Sequence, residues 1–139
     1  MDASGWQRWF RMMVFLSVVY LVVGIVFGEF ASRAASNQMR VTWNRLAFLT
    51  SAVAFVAHIG YEHFRLRNTA RLAAWHTSMA VAFGALALAV VANIHDLGSA
   101  SGYRPRMLLA LVAWPLLTAA PAFIVALVVA AGLGVKMSG

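Results

Sequence analysis

Four long apolar blocks, separated by short connections that carry arginine, dominate the pattern of this chain. The blocks are Met12–Gly28, Leu46–Tyr61, Leu72–Ile94 and Met107–Val135, and none of them contains Asp, Glu, Lys or Arg. A membrane-spanning helix needs about 20 mostly apolar residues, or roughly 17–25 when it is tilted. The pattern therefore predicts an all-α polytopic integral membrane protein with four transmembrane helices in an up-down antiparallel bundle.

The predicted spans lie at approximately 10–30, 44–64, 72–95 and 107–135, so that one four-helix transmembrane domain occupies residues 1–139. Backbone groups in hydrocarbon must form hydrogen bonds within their own segment, which favours helices over any open structure for continuous apolar blocks. Because the connections between blocks are short, consecutive helices are expected to be antiparallel neighbours.

Composition supports a membrane protein and changes the meaning of the charge. Hydrophobic residues make up 63% of the chain and the mean hydropathy is +0.80, whereas soluble domains contain about 45–50% apolar residues. The net charge of +7 would suggest nucleic acid in a soluble protein, but here the basic residues flank the spans, where they contact lipid phosphate. We therefore expect the lipid bilayer as partner and exclude nucleic acid. The absence of cysteine excludes disulfides and thiolate ligands.

The basic residues also indicate an orientation. Four spans place both termini on one side, together with the connection between the second and third spans, which contains Arg65, Arg67 and Arg71. That side carries six basic residues and the other side five, namely Arg8, Arg11, Arg65, Arg67, Arg71 and Lys136 against Arg33, Arg40, Arg45, Arg104 and Arg106. Basic loops favour the cytoplasm, so we predict a plasma (inner) membrane protein with both termini cytoplasmic.

Small residues and prolines predict how the helices pack and bend. Gly24 and Gly28 fall on one stripe of the first helix, and Gly84 lies on a stripe of small residues in the third. Such residues let membrane helices approach closely, so we assign these three glycines to helix packing. Pro115 and Pro121 lie within the fourth block, and we predict that they kink its helix because proline removes a backbone donor.

His58, Glu62 and His76 form the first candidate site. His58 lies near the end of the second span and His76 near the start of the third, so a hairpin brings both imidazoles to similar depth. Glu62 follows His58 by one helical turn and shares its face. His63 is expected to point elsewhere. Ionisable residues within a membrane segment are costly and are therefore functional candidates.

The sequence leaves the chemistry of this site open. Two facing histidines can ligate the iron of haem b between helices, and histidines with a carboxylate can hold a divalent metal. A proton relay or gate is a third hypothesis, since imidazole titrates near neutral pH. The fourth is a set of interfacial side chains that form hydrogen bonds to hydroxyls, carbonyls or lipid phosphate.

A second polar cluster is predicted at the opposite face, and its proposed members are Glu29, Arg45, His95 and Asp96. We expect Glu29 to form an ion pair with an arginine, either Arg33 or Arg45, or a contact with His95. Exposed pairs of this kind contribute about 0–1 kcal/mol. The alternative is an arginine-lined vestibule for an anionic or polar solute.

The function predicted from these observations is non-catalytic. No nucleophile elbow, phosphate-binding loop or metalloprotease motif occurs in the chain. We therefore favour a membrane subunit or scaffold, or a homo-oligomeric transporter of ions or small solutes, working with further copies or within a larger membrane complex. The alternative is a haem- or metal-binding membrane protein that uses the facing histidines of helices 2 and 3. An enzyme acting on a lipid or quinone is the third hypothesis.

Overall fold

The computed structural model describes residues 3–97 and 105–136, with side chains described at 5–95 and 108–133. Within these residues the chain forms four α-helices: α1 (Ala3–Ser32), α2 (Asn37–Gly60), α3 (Ala70–Leu97) and α4 (Pro105–Lys136). A π-helical turn, Tyr61–Arg65, continues α2 without a break. The all-α prediction is confirmed.

Three of the four helices are long and apolar enough to cross a membrane, over Gly5–Ser32, Ala70–His95 and Leu108–Leu133. These correspond to the first, third and fourth predicted spans. The helix α2 does not reach the same mean hydropathy, because Arg45 lies beside its apolar stretch and His58 lies within it.

The end of α2 has an irregular backbone that the apolar pattern does not reveal. The Leu66 amide donates to the Tyr61 carbonyl at 3.2 Å, which closes the wide π-helical turn. The Asn68 amide then donates to the Glu62 carbonyl at 3.1 Å. Between them, Arg67 adopts a left-handed conformation with φ of 52°, as residues that terminate helices often do. The connection to α3 is therefore a tight reversal anchored on the last helical turn.

The central helix of the fold is α3, which packs most extensively against α4 and next against α1. At one end of the molecule, Ile59 of α2 is fully buried between Ala73 and Ala74 of α3 and Ala126 and Ala130 of α4. Alanines at these positions let the helix backbones approach closely, which is how packing energy is gained without a hydrophobic driving force.

The interface between α1 and α3 sets small residues of α3 against larger side chains of α1, with Ala80 in one buried cluster with Met13 and Leu16. Gly84 lies so close to α1 that a Cβ atom in its place would be 2.8 Å from the Cβ atom of Tyr20 and 3.3 Å from the Ser17 carbonyl oxygen. The Ser17 hydroxyl lies 3.2 Å from the Ala80 carbonyl oxygen, to which it can donate across the interface. The interface thus depends on the absence of a side chain at Gly84.

The other two glycines assigned to packing differ from each other. A Cβ atom at Gly24 would meet the terminal methyl groups of Leu88 at 2.9 and 3.1 Å, and that side chain can rotate away. At Gly28 a Cβ atom would have no neighbour within 4 Å among the described residues. The structure therefore brings Gly24 to α3 and leaves Gly28 outside this interface.

Most of the outer surface of the helices is apolar. Large side chains such as Phe15, Phe48, Val53, Leu117 and Val128 are well over half exposed. In water, contiguous apolar patches much beyond a few hundred Å² are rare on monomers. This surface is what a chain surrounded by lipid presents, because lipid tails are as apolar as leucine.

The two prolines lie inside a continuous helix α4. The Thr118 hydroxyl lies 2.9 Å from the Trp114 carbonyl oxygen and 3.1 Å from that of Pro115. Threonine hydroxyls that bond to the preceding turn often bend a helix. Each proline also leaves the carbonyl four residues before it without a backbone donor. The Thr118 hydroxyl does not compensate for this loss, because it approaches the carbonyls of Trp114 and Pro115 instead.

The close approach at Gly84 generates a testable difference between two glycines. Replacing Gly84 with Ala should lower the free energy of unfolding by about 1–3 kcal/mol, because two backbones must move apart. Replacing Gly28 with Ala adds the same methyl group in open space and should leave stability unchanged or raise it by up to about 1 kcal/mol. Unfolding by SDS in mixed detergent micelles measures both. Equal effects at the two positions would contradict the packing described for α1 and α3.

Candidate functional site

The candidate site is centred on Glu62, which is completely buried at the end of α2. Its Oε2 atom accepts a hydrogen bond from the Asn68 side-chain amide and lies 3.1 Å from His76 Nδ1. Its Oε1 atom lies 3.5 Å from His58 Nε2. One carboxylate therefore lies between two imidazoles that belong to different helices, and we refer to His58, Glu62, Asn68 and His76 as the Glu62 cluster.

Local structure explains how these four residues meet. His58 and Glu62 are one turn apart on the same face of α2, and the π-helical turn begins between them at Tyr61. His76 lies in the second turn of α3 and is buried, as His58 is. Asn68 lies in the reversal that joins the two helices, where its backbone amide also binds the Glu62 carbonyl. The cluster therefore fastens the end of α2 to the start of α3.

The electrostatics of the cluster follow from burial. A carboxylate removed from water costs several kcal/mol unless it is paired and its oxygens accept hydrogen bonds. The Asn68 amide supplies one donor, and His76 supplies a second in the tautomer or charge state that carries a proton on Nδ1. When His76 is protonated the pair is an ion pair, and its two charges cancel.

The other half of the cluster is less completely bonded. His58 Nε2 is within ion-pair distance of Glu62 Oε1, yet neither nitrogen of His58 nor Oε1 has a hydrogen-bond partner of good geometry. On the α1 side, the ring of Trp9 lies against His76 with centroids 4.9 Å apart, and its Nε1 atom is buried without a partner. Buried polar atoms of this kind are commonly satisfied by internal water.

The contacts described for the cluster are hydrogen bonds and ion pairs. Among the described residues, no group of three or more His, Cys, Asp or Glu side chains is arranged to hold a metal ion. His76 Nδ1 and the Asn68 amide both approach the same oxygen of Glu62, so hydrogen bonds already use that ligand atom. The arrangement joins the end of α2 to the start of α3.

The residues predicted at the opposite face do not assemble into one site in the described part of the chain. Glu29 forms an ion pair with Arg33, one turn later on α1, at 2.5 Å, with side chains 55% and 77% exposed. Arg45 instead lines an open recess of about 420 Å³ on the outer face of α2 with Val41 and Phe48. His95 is exposed at the end of α3, and the side chain of Asp96 lies outside the described residues.

Sequence reasoning missed two residues of the site environment. The first is Asn68, which the sequence shows only as one residue of an arginine-rich connection. Its contact with Glu62 depends on the π-helical turn, which shifts the position at which the chain reverses direction. A signal existed, since asparagine favours helix ends and turns. Trp9 was outside the predicted first span, at 10–30, but α1 begins earlier and carries its ring to His76.

Comparison with protein-family models, curated proteins and solved structures finds no match to this chain. Its function is therefore argued from the geometry of its own residues.

The same Glu-to-Gln replacement at a buried and at an exposed position tests how much the cluster contributes to stability. Replacing Glu62 with Gln should lower the free energy of unfolding by about 2–4 kcal/mol, since it removes a buried carboxylate from donors that then remain buried. Replacing Glu29 with Gln removes an exposed carboxylate and should cost less than about 1 kcal/mol. SDS unfolding in micelles compares them. Glu62→Gln unfolding at the wild-type midpoint would show that the buried contacts contribute nothing net.

Proposed function

We propose that the chain is a non-catalytic integral membrane protein that acts as a small subunit of a membrane assembly. The observation that carries this proposal is the contrast between its inside and its outside. Its buried ionisable side chains, among those described, are the three of the Glu62 cluster, and each is 4% exposed or less. A substrate has no access to a carboxylate enclosed by its own helices, whereas partner helices and lipid have access to the apolar outer faces.

A fourth membrane crossing by α2 is part of the proposal. The helix has 24 residues, and at about 1.5 Å per residue it would extend roughly 36 Å, against a hydrocarbon core of about 30 Å. Its outward side chains Phe48, Leu49, Val53 and Val56 are all more than half exposed. A long arginine such as Arg45 can extend its charge toward the lipid headgroups, which reduces the cost of its position.

The proposed orientation places both termini in the cytoplasm of the plasma membrane, in a four-span antiparallel arrangement. Its support is the contact between Trp9 and His76, which brings the beginning of α1 level with the beginning of α3. The α2–α3 connection with Arg65, Arg67 and Arg71 is at the same end. Basic residues concentrated there favour the cytoplasmic side.

Assembly is favoured over transport by a single chain because the helices are packed around small side chains. The core at the α2–α3–α4 end is made of Ile59 and alanines at nearly zero exposure, which leaves no room for a hydrated path at that level. A transport function would need a path between chains. The transport alternative therefore requires a homo-oligomer. The apolar faces of α1, α2 and α4 are the surfaces such contacts would use.

The absence of natural cysteine allows a direct test of the crossing by α2, the one that hydropathy leaves open. Ala35→Cys labels the α1–α2 connection and Thr69→Cys the α2–α3 connection, and both positions are exposed. In intact cells, a membrane-impermeant maleimide should react with Ala35→Cys, while Thr69→Cys should react only after permeabilisation. If both cysteines react from the same side, α2 does not cross the membrane. If the accessibilities are exchanged, four spans remain and the orientation is reversed.

Two measurements on purified protein separate the subunit proposal from its rivals. Liposomes containing the wild-type protein should show no proton or cation flux above that of the Glu62→Gln protein. A flux that Glu62→Gln abolishes and Glu29→Gln preserves would establish transport through the cluster. An absorption spectrum and metal analysis of the same sample test the cofactor alternative. If a Soret band or bound metal is found and is lost in both His58→Ala and His76→Ala, a cofactor-binding function would replace the subunit proposal.

A further inference from the structure

The connection between α2 and α3 combines a dense positive charge with a fixed backbone. Arg65, Arg67 and Arg71 occur within seven residues, and all three are exposed. We refer to these three residues as the arginine loop. Within the described part of the chain, their side chains have no ion pair with an acidic residue. The nearest acidic side chain in sequence, Glu62, is fully buried and already occupied by His58, His76 and Asn68.

Hydrogen bonds hold the backbone around Arg67 on both of its sides. The Leu66 amide before it donates to the Tyr61 carbonyl, and Asn68 after it binds Glu62 through both its backbone amide and its side-chain amide. Arg67 itself is in a left-handed conformation. The Thr69 carbonyl then accepts from the Ala73 amide at 2.9 Å, which starts the first turn of α3. A loop held in this way loses less conformational freedom on binding than a flexible basic segment would.

The surroundings of the arginine loop point to a lipid partner. Phe64 precedes Arg65 and is 60% exposed, and Trp75 follows Arg71 by one helical turn and is 56% exposed. Tryptophan is enriched where membrane meets water, and an exposed phenylalanine beside it can contact lipid tails, while nearby basic residues attract anionic headgroups. Guanidinium groups bind phosphate through paired hydrogen bonds.

We propose that the arginine loop is a binding site for the phosphate headgroup of anionic phospholipids, organised by the attachment of Asn68 to buried Glu62. The proposal rests on the four-span arrangement, which places this loop at a membrane surface. It assigns a second role to the Glu62 cluster: the cluster holds a charged loop in a fixed shape where helices enter the headgroup region. The occupant is a lipid because the positive charge is bordered by exposed aromatic side chains.

The test uses full-length protein in a neutral detergent and measures the shift of its thermal unfolding temperature on addition of short-chain phosphatidylglycerol, with phosphatidylcholine as reference. Wild-type protein should be stabilised by phosphatidylglycerol and not by phosphatidylcholine. Replacing Arg65, Arg67 and Arg71 together with Gln should weaken the apparent affinity by roughly a hundredfold, since each basic residue near an anionic lipid surface contributes about fivefold. The control replaces Arg33 and Arg40 with Gln, because their side chains already bind Glu29 and Asn37, and it should retain most of the response. Its charge-matched counterpart replaces Arg65 and Arg67 with Gln.

A second variant tests whether lipid binding needs the fixed shape of the loop or only its positive charge. Replacing Asn68 with Ala keeps all three arginines and removes the side-chain bond to Glu62, so the response to phosphatidylglycerol should weaken several-fold. Replacing Asn37 with Ala is its control, because the Asn37 side chain accepts a hydrogen bond from Arg40 at 2.7 Å at an exposed position of α2. The comparison uses the phosphatidylglycerol concentration that gives half of each variant's own maximal shift, which separates apparent affinity from starting stability.

Three results would overturn the proposal. They are an unchanged response in the arginine-loop variant, an equal loss in the two charge-matched variants, or a full response to inorganic phosphate in place of lipid. An unchanged response in Asn68→Ala would remove the role of Glu62 in shaping the loop. If cysteine labelling placed Ala35 and Thr69 on one side while the lipid response persisted, the four-span proposal would fail without the lipid site failing.

Discussion

The rest of the structure depends on the need to bury the carboxylate of Glu62 without leaving it unpaired. In an apolar bundle no bulk water is available to solvate it, so its partners must come from the protein. His76 comes from the next helix and Asn68 from the connection between the two. Each partner constrains a different element. The register of α2 against α3, the shape of the reversal and the depth of both histidines are therefore coupled through a single side chain.

The remaining contacts are of a different physical kind. The α1–α3 and α3–α4 interfaces use Gly84, Ala80, Ala73 and Ala126, whose lack of bulk brings backbones together. Such packing is favourable because many weak dispersion contacts add up over a long interface, and it contains few directional bonds. The Glu62 cluster supplies directional bonds at one end of α3. Further along α3, the Ser17 hydroxyl lies 3.2 Å from the Ala80 carbonyl oxygen and 2.8 Å from that of Met13, and it can donate to one of them at a time. Position along the helices is thus specified at a few polar points.

The sequence predicted the parts of this architecture that follow from hydropathy and periodicity. Helices α1, α3 and α4 could be located because long uncharged blocks have few structural solutions, and His58, Glu62 and His76 could be grouped because a hairpin and a helical turn fix their depth and face. The position of Glu62 between the imidazoles could not be derived, since it depends on rotamers and on the π-helical turn. For Glu29 the sequence offered two arginine partners, Arg33 and Arg45. The structure shows the pair with Arg33, which lies one turn later on the same helix.

The π-helical turn also explains why a costly buried carboxylate and an exposed positive loop occur together. A regular α-helix through Tyr61–Arg65 would bring its last carbonyls to a different angle and would not present the Glu62 carbonyl to the Asn68 amide. The wider turn lets one residue bind Asn68 through both backbone and side chain. Asn68 immediately follows the left-handed Arg67. The residue that binds the buried carboxylate is therefore the direct neighbour of a residue that carries exposed positive charge.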